Sequence, residues 1–271
     1  MKIKLKKLAQ ENEKLQEKLA KSYSQKLVNL LPTIKEFIRN NKLPDGTLAN
    51  IALNSQIISS LLVRAGLPLW ANFNDELLAM GQLAIQNLAS QGLHTDLLSG
   101  SAGTILNALQ TDISDILDPV KDDMATQMTR LSDNLIVEVK GVLERMQVAP
   151  VGIGIASADL ATRFDIAASQ AKTILNTGLA AIQREANIKV GSKLESVGVD
   201  VFYVYQGPSD KVTRDFCKKI VGKALTREQI ALLKNSNGSN VFKYGGGYNC
   251  RHNWFAMSKS AIEASGIEFL G

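Results

Sequence analysis

Apolar side chains recur at every third or fourth position along much of the chain before residue 200, a spacing that places them on one face of a helix. Two stripes carry the pattern most clearly. A chain with this spacing is predicted to be mainly α-helical in its first two-thirds. The first stripe is Leu5, Leu8, Asn12, Leu15, Leu19, Tyr23, Leu27, Leu30, Ile34 and Ile38, and the second is Met124, Met128, Leu131, Leu135, Val139, Val142 and Met146.

Residues 1–43 carry 11 basic and 4 acidic side chains around the first stripe. The stripe is narrow and includes Asn12, features that suit a partner helix as in a coiled coil. An amphipathic helix that packs on its own chain fits equally well. Pro32 is expected to end or kink the helix, because it lacks the amide donor and clashes with the preceding turn.

Residues 46–111 contain only four charged side chains, Arg64, Asp75, Glu76 and Asp96. The segment predicts helices over 47–63 and 77–95, with Thr47 and Asn74 as N-caps. Such apolar helices are expected to pack against other helices or subunits. Membrane insertion is the alternative, but the Asn and Gln content and the lack of aromatic belts and flanking basic clusters oppose it.

Downstream, the pattern predicts a helix interrupted at Pro119, an irregular connector over 148–156, and two helices over 158–176 and 178–197. The composition then changes near residue 200. Ten of the 15 aromatic residues, both cysteines and one of the two histidines lie beyond it. Residues 200–206 favour a strand, Thr226 and Gln229 have capping-box spacing, 235–240 form a turn, and a last helix reaches about Ala264.

The fold class predicted is therefore mainly α, with long helices in the N-terminal two-thirds followed by a small α+β C-terminal domain. We expect a basic amphipathic arm at 1–43, a low-charge helical region at 44–156 and a third region at 157–271. The third region divides into a helical lead-in at 157–199 and an α+β part at 200–271. The first residues are basic but lack an uncharged apolar segment, so we expect synthesis and folding in the cytoplasm.

Three segments in the last quarter carry recognisable motifs: YQGPSDKVTRDFC, GKALTREQI and GGGYNCRHNW. Together with AKTILNTGLAAIQREAN upstream, they resemble the C-terminal domain of phage minor head proteins of the Mu F-like head morphogenesis family. The resemblance covers about residues 160–256. The matching positions are Asp210, Thr213, Arg214, Cys217, Gly222, Asn249, Cys250, Arg251 and His252, with Thr177 upstream.

The resemblance implies a virion protein that is made in the host cytoplasm, packaged in few copies and located inside the head near the portal. It implies a role in head assembly, genome organisation or DNA delivery. Portal protein, major capsid protein and further copies of the chain are the expected partners, with phage double-stranded DNA as another. An ejected protein that contacts the host membrane during DNA entry is the alternative.

The motif residues favour a structural network. Asp210 and Arg214 are one helical turn apart and can pair, and Arg251 offers a second guanidinium. The alternative is zinc bound by Cys217, Cys250 and His252, with Asp210 or water as the fourth ligand. A disulfide between the cysteines is a third interpretation. The expected network comprises Asp210, Thr213, Arg214, Cys217, Asn249, Cys250, Arg251 and His252.

Catalysis is not expected. Cys250 and His252 are two residues apart, and no pattern places a base beside a nucleophile. The glycines at 245–247 lack the Lys and Ser or Thr of a phosphate loop, and they are interpreted as a flexible backbone that lets Cys250 approach the domain. No cofactor other than zinc is expected. The basic ends could neutralise DNA phosphates, and such binding would weaken with salt.

Overall fold

A computed structural model describes residues 2–49, 55–64 and 113–270. The chain is mainly α-helical, with long helices followed by a small α+β region, so the predicted fold class is confirmed. The helices described are α1 (Lys2–Val28), α2 (Leu31–Asn40), α3 (Ser55–Arg64), α4 (Ile113–Val148), α5 (Ile153–Ser196), α6 (Asp215–Ile220), α7 (Arg227–Leu232), α8 (Val241–Tyr244) and α9 (Lys259–Ala264). The strands are β1 (Val201–Gln206), β2 (Lys223–Leu225), β3 (Asn253–Ser258) and β4 (Glu268–Phe269).

The chain divides into two compact units. The helical unit takes the described residues within Lys18–Phe73 and Met124–Leu175. The carboxy-terminal unit takes those within Met1–Glu17, Asn74–Asp123 and Asn176–Gly271. The three-part division drawn from the sequence stays a prediction.

The core of the helical unit is formed by the apolar stripes of its helices. All seven positions of the stripe from Met124 to Met146 are buried, as predicted. Leu160 and Phe164 of α5 are fully buried as well. The described side chains of the first stripe, Tyr23, Leu27, Leu30, Ile34 and Ile38, are also buried. The earlier positions of that stripe lie outside the described side chains.

Proline has different effects at its two helical positions. α1 ends at Val28, and Pro32 lies in the first turn of α2, where its missing amide donor is tolerated. The interruption predicted at Asp118–Pro119 is wrong, because α4 continues through Pro119. Leu117, Val120 and Met124 stay buried at helical spacing around it. Burial of this face outweighs the loss of one helical hydrogen bond.

Two further helix boundaries differ from the sequence expectation. α5 begins at Ile153, inside the predicted connector, and runs unbroken to Ser196 through Thr177 and Gly178. Residues 177–184 are all buried, so packing on every side holds the helix together where local propensity favours a break.

The predicted helix over 47–63 begins eight residues later, at Ser55. Thr47 is not an N-cap, because its amide and hydroxyl both donate to Asp45 Oδ1, at 2.9 and 2.6 Å. Asn74, the predicted helix over 77–95 and most of the low-charge segment lie outside the described residues. Among the helices the structure describes, none combines the length and the apolar character needed to cross a bilayer.

The sheet of the carboxy-terminal unit has the strand order β3-β1-β2-β4. β1 pairs antiparallel with β3, from Val201 opposite Ser258 to Gln206 opposite Asn253, and antiparallel with β2. β4 joins β2 in parallel. The strand predicted at 200–206 and the capping box of Thr226 and Gln229 are confirmed. Residues 253–258, expected to begin the last helix, form a strand instead.

The two faces of this sheet have different chemistry. One face carries an aliphatic and aromatic core that includes Val204, Phe255 and Met257, packed with Ile262 and Ile267. The residues that alternate with these carry the rings of Tyr203, Tyr205 and Trp254, which are fully buried. The motif residues lie on this second face.

Candidate functional site

The site is built around the segment that joins α8 to β3, residues 245–252. Gly245 at its start has φ +56°, and Asn249 also adopts a left-handed conformation with φ 55°. The Asn249 amide donates to the Thr177 hydroxyl of α5 at 3.0 Å. The two positions that the sequence singled out in separate segments, Thr177 and Asn249, are therefore in contact.

Asp210 and Thr213 form a compact turn before α6. The Asp210 amide donates to Thr213 Oγ1 at 2.9 Å, and the Val212 amide donates to Asp210 Oδ1 at 3.1 Å. Thr213 Oγ1 also lies 3.0 Å from Asp210 Oδ1. The hydrogen-bonding pattern shapes the loop that leads from β1 into α6.

The partner of Asp210 across the site is Arg251. Arg251 Nη2 donates to Asp210 Oδ1 at 2.8 Å, while Nη1 donates to Glu13 of α1 at 3.1 Å. The hydrogen bond from Arg251 holds the pKa of the Asp210 carboxyl well below its usual range. Arg251 therefore connects three separate segments, as its guanidinium was expected to connect distant loops.

The expected pairing of Asp210 with Arg214 is replaced by a different contact. Arg214 Nη2 donates to the main-chain oxygen of Tyr248 at 2.6 Å. Helix α6 begins only at Asp215, so Asp210 and Arg214 do not lie on one helix and their spacing of four does not bring them together. Arg214 instead joins the start of α6 to the 245–252 segment.

A residue that the sequence reasoning missed lies at the centre of the site. Arg184 of α5 is fully buried, with 0% exposure. Its Nε and Nη2 donate to the His252 oxygen at 2.9 and 2.6 Å, and Nη2 also donates to the Cys250 oxygen at 2.9 Å. Its Nη1 donates to the Lys243 oxygen at 3.1 Å. One side chain thus fixes three main-chain carbonyls around the motif.

The sequence held a signal for this role. Arg184 follows an uncharged run from Thr173 to Gln183 in which small and apolar residues dominate. A charge at the end of such a run is unlike the regular Lys and Glu pattern of a solvated helix face. The neighbouring Gln183 is also buried, and its Oε1 accepts from Gln16 at 2.9 Å and from Asn253 at 3.0 Å.

Cys217, Cys250 and His252 come together in the interior. The two sulfur atoms are 3.9 Å apart, and Cys250 Sγ is 3.9 Å from His252 Nδ1. The hydroxyl of Tyr205 lies 3.2 Å from Cys250 Sγ and 3.6 Å from Cys217 Sγ. Its ring stacks on the His252 ring with centroids 5.1 Å apart. We call these four residues the sulfur cluster.

Hydrogen bonds make the two cysteines of the cluster inequivalent. The Gly246 amide donates to Cys250 Sγ at 3.2 Å. The hydrogen bond from Cys217, with contributions from His252 and the positive charge of Arg184, holds the pKa of Cys250 well below its usual range, although burial opposes this. The hydrogen bond to Cys250 and burial raise the pKa of Cys217. Burial also raises the pKa of Tyr205. Cys250 is thus the thiolate and Cys217 the donor.

The glycines at 245–247 allow the chain to pass beside the cluster, as the sequence suggested. A Cβ on Gly246 would lie 2.5 Å from Cys217 Sγ, and one on Gly245 would lie 2.8 Å from the Tyr205 hydroxyl. Either contact is too close for a side chain. The bare backbone at these positions is what brings the Gly246 amide to Cys250.

The site gathers the eight residues predicted for the network, but not in one contact set. Asp210, Thr213 and Arg251 form one part, Arg214 and Asn249 each hold the 245–252 segment, and Cys217, Cys250 and His252 form the buried part. Asp210, considered as a fourth metal ligand, is engaged by Arg251 and Thr213 and does not belong to the sulfur cluster. Comparisons with protein-family models, curated proteins and solved structures found no match to this chain.

Proposed function

We propose that this chain is a non-enzymatic phage minor head protein, packaged in few copies inside the head near the portal. Portal protein, major capsid protein or both are its partners, and further copies of the chain are expected in the same assembly. It assists head assembly or DNA delivery. The proposal starts from the motif resemblance in residues 160–256, and the arrangement of those residues supports it.

The observation that carries the proposal is the burial of the motif around Arg184. Three carbonyls of the 243–252 region accept hydrogen bonds from this one guanidinium. Because the motif residues hold segments of the chain to one another, their pattern specifies a rigid body. A rigid body suits recognition of a partner surface, since little conformational freedom is lost on binding.

The position of the sulfur cluster also favours a non-catalytic role. Cys217, Cys250 and His252 are 1%, 3% and 2% exposed, respectively. A nucleophilic cysteine needs contact with its substrate, and a general base must reach the proton that it removes. Side chains this deeply enclosed suit a structural role better.

In the mechanism we propose, the two parts of the molecule have separate tasks. The carboxy-terminal unit presents a fixed surface to portal or capsid. The low-charge sequence at 46–111 supplies apolar surface for contacts with those proteins or with other copies. The basic termini add contacts to packaged DNA, and those contacts would weaken as salt concentration rises.

Quantitative mass spectrometry of particles from the phage that encodes the chain tests this proposal. Full virions and DNA-emptied particles from one preparation are compared, with major capsid protein as the internal standard. A few copies in both kinds of particle is the expected result. Presence only in full virions would favour the ejected, membrane-contacting alternative. Absence from both would overturn the proposal.

A further inference from the structure

The sulfur cluster contains three soft metal-ligand side chains whose ligand atoms all lie within 4.8 Å of one another. They come from α6 and from the end of the 245–252 segment, which are separated by more than 30 residues of sequence. Thiolate and imidazole ligands together select zinc over the hard cations Mg²⁺ and Ca²⁺. The chemistry of the cluster therefore points to a thiophilic divalent cation.

The distances in the cluster fit a tetrahedral zinc site. Zinc bonds of about 2.3 Å to sulfur and about 2.0 Å to nitrogen place two sulfurs roughly 3.8 Å apart and a sulfur and a nitrogen roughly 3.5 Å apart. The corresponding separations here are 3.9 Å between the sulfurs and 3.9 Å between Cys250 Sγ and His252 Nδ1. Shifts of a few tenths of an ångström would complete the geometry.

The Tyr205 hydroxyl lies where a fourth ligand would stand. An oxygen about 2.0 Å from a tetrahedral zinc would lie roughly 3.5 Å from each bound sulfur. Tyr205 Oη is 3.2 and 3.6 Å from the two sulfurs. The Gly246 amide, which donates to Cys250 Sγ at 3.2 Å, provides the outer hydrogen bond typical of metal-bound thiolates.

His252 gives an independent reason to expect a ligand. Its imidazole is 2% exposed, and Nδ1 has only the 3.9 Å contact to sulfur. Within the described part of the chain, Nε2 is buried without a hydrogen-bond partner. Buried polar groups are usually well satisfied, so this imidazole is poorly explained by protein contacts alone.

We propose that Cys217, Cys250 and His252 bind one structural Zn²⁺ ion, with the Tyr205 hydroxyl at the fourth corner. The ion would join α6 to the segment that enters β3 and would add its binding energy to folding. Binding releases the remaining thiol proton, because zinc takes both sulfurs as thiolates. The inference concerns the stability of the unit and does not depend on the proposed function.

The test uses the full chain, expressed with zinc in the medium and purified through a tag that binds no metal. Elemental analysis is expected to find about one zinc per folded chain, as in other structural sites. Cys217→Ser and Cys250→Ser should each lose the metal. Tyr205→Phe should weaken zinc retention against a chelator by about 10–100-fold. Tyr203→Phe, which removes a hydroxyl two residues away on the same strand face, is the matched control and should retain zinc like the wild type.

Cobalt(II) provides a readout that does not depend on whether the variants fold. Wild-type chain loaded with Co²⁺ should show the intense thiolate-to-metal absorption of a tetrahedral site. A folded wild-type chain with neither zinc nor this absorption would overturn the proposal. So would a thiol assay that finds no free thiol because Cys217 and Cys250 have formed a disulfide.

Discussion

Arg184 donates two hydrogen bonds to a single acceptor, the main-chain oxygen of His252, through Nε at 2.9 Å and Nη2 at 2.6 Å. The two residues are 68 positions apart in sequence. A buried guanidinium is tolerated when its donors are satisfied, and here carbonyl oxygens satisfy them. The carboxy-terminal unit therefore depends on one cation that has no water to replace its partners.

Arg184→Met should destabilise the carboxy-terminal unit by about 3 kcal/mol or more, because three buried carbonyls lose a donor. Urea unfolding followed by Trp254 fluorescence in a Trp70→Phe background measures this loss. Arg163→Met is the control. Arg163 pairs with Asp159 and Glu138 but is partly exposed, so a change within about 1 kcal/mol is expected. Equal losses in the two variants would contradict the central role of Arg184.

Gly246→Ala should destabilise the same unit by about 1–3 kcal/mol, the usual result of overpacking. Its new methyl group would lie 2.5 Å from Cys217 Sγ. The matched control is Gly154→Ala in the first turn of α5, where a Cβ meets nothing within 4 Å. Thermal unfolding should show a lower Tm for the first variant only. A Gly246→Ala protein with wild-type Tm would show that this passage is not tightly packed.

The pair of Gly191 and Tyr203 should behave non-additively. A Cβ on Gly191 would overlap the Tyr203 hydroxyl and would lie 2.7 Å from Tyr203 Cζ. Gly191→Ala alone is expected to be strongly destabilising. In a Tyr203→Phe background the same change should be less harmful, because the nearest atom is gone while the ring remains. A double-mutant cycle on unfolding free energies measures the coupling. Strict additivity would contradict the contact.

Acid should weaken the contact between Asp210 and Arg251. The pKa of Asp210 is lower in the folded chain than in the unfolded chain, where it is about 4. Its contribution is therefore complete above about pH 4 and is lost as pH falls toward the folded pKa. The difference in urea midpoint between wild type and Asp210→Asn should be constant from neutral pH to about pH 5 and then shrink. A difference that grows on acidification would reverse the assigned sign.

The helices and the caps of this fold could be predicted because their signals are local. Seven residues from Met124 to Met146 repeat at helical spacing, and all are buried. The Thr226 hydroxyl accepts from the Gln229 amide, and the Gln229 side chain accepts from the Thr226 amide, at the spacing expected of a capping box. Such features depend on residues three or four apart.

The parts that could not be predicted depend on distant contacts. Continuation of α4 through Pro119 follows from burial on both sides of the proline, not from its neighbours in sequence. The strand at 253–258 exists because β1 pairs with it across a connection of about 46 residues. The contact of Asp210 with Arg251 rather than with Arg214 has the same origin. In each case tertiary packing overrides the local preference.

The pairing of β1 with β3 also limits which changes of length the chain can accept. Tyr205 stands opposite Trp254, and Val204 stands opposite Phe255, so the two strands keep matching parity on each face. A single inserted residue in either strand would exchange the ring-bearing face for the aliphatic one beyond the insertion. Two inserted residues would restore the parity but displace the pairing. Insertions and deletions in homologous chains should therefore fall outside 201–206 and 253–258, with the turn at 235–240 the natural place to find them.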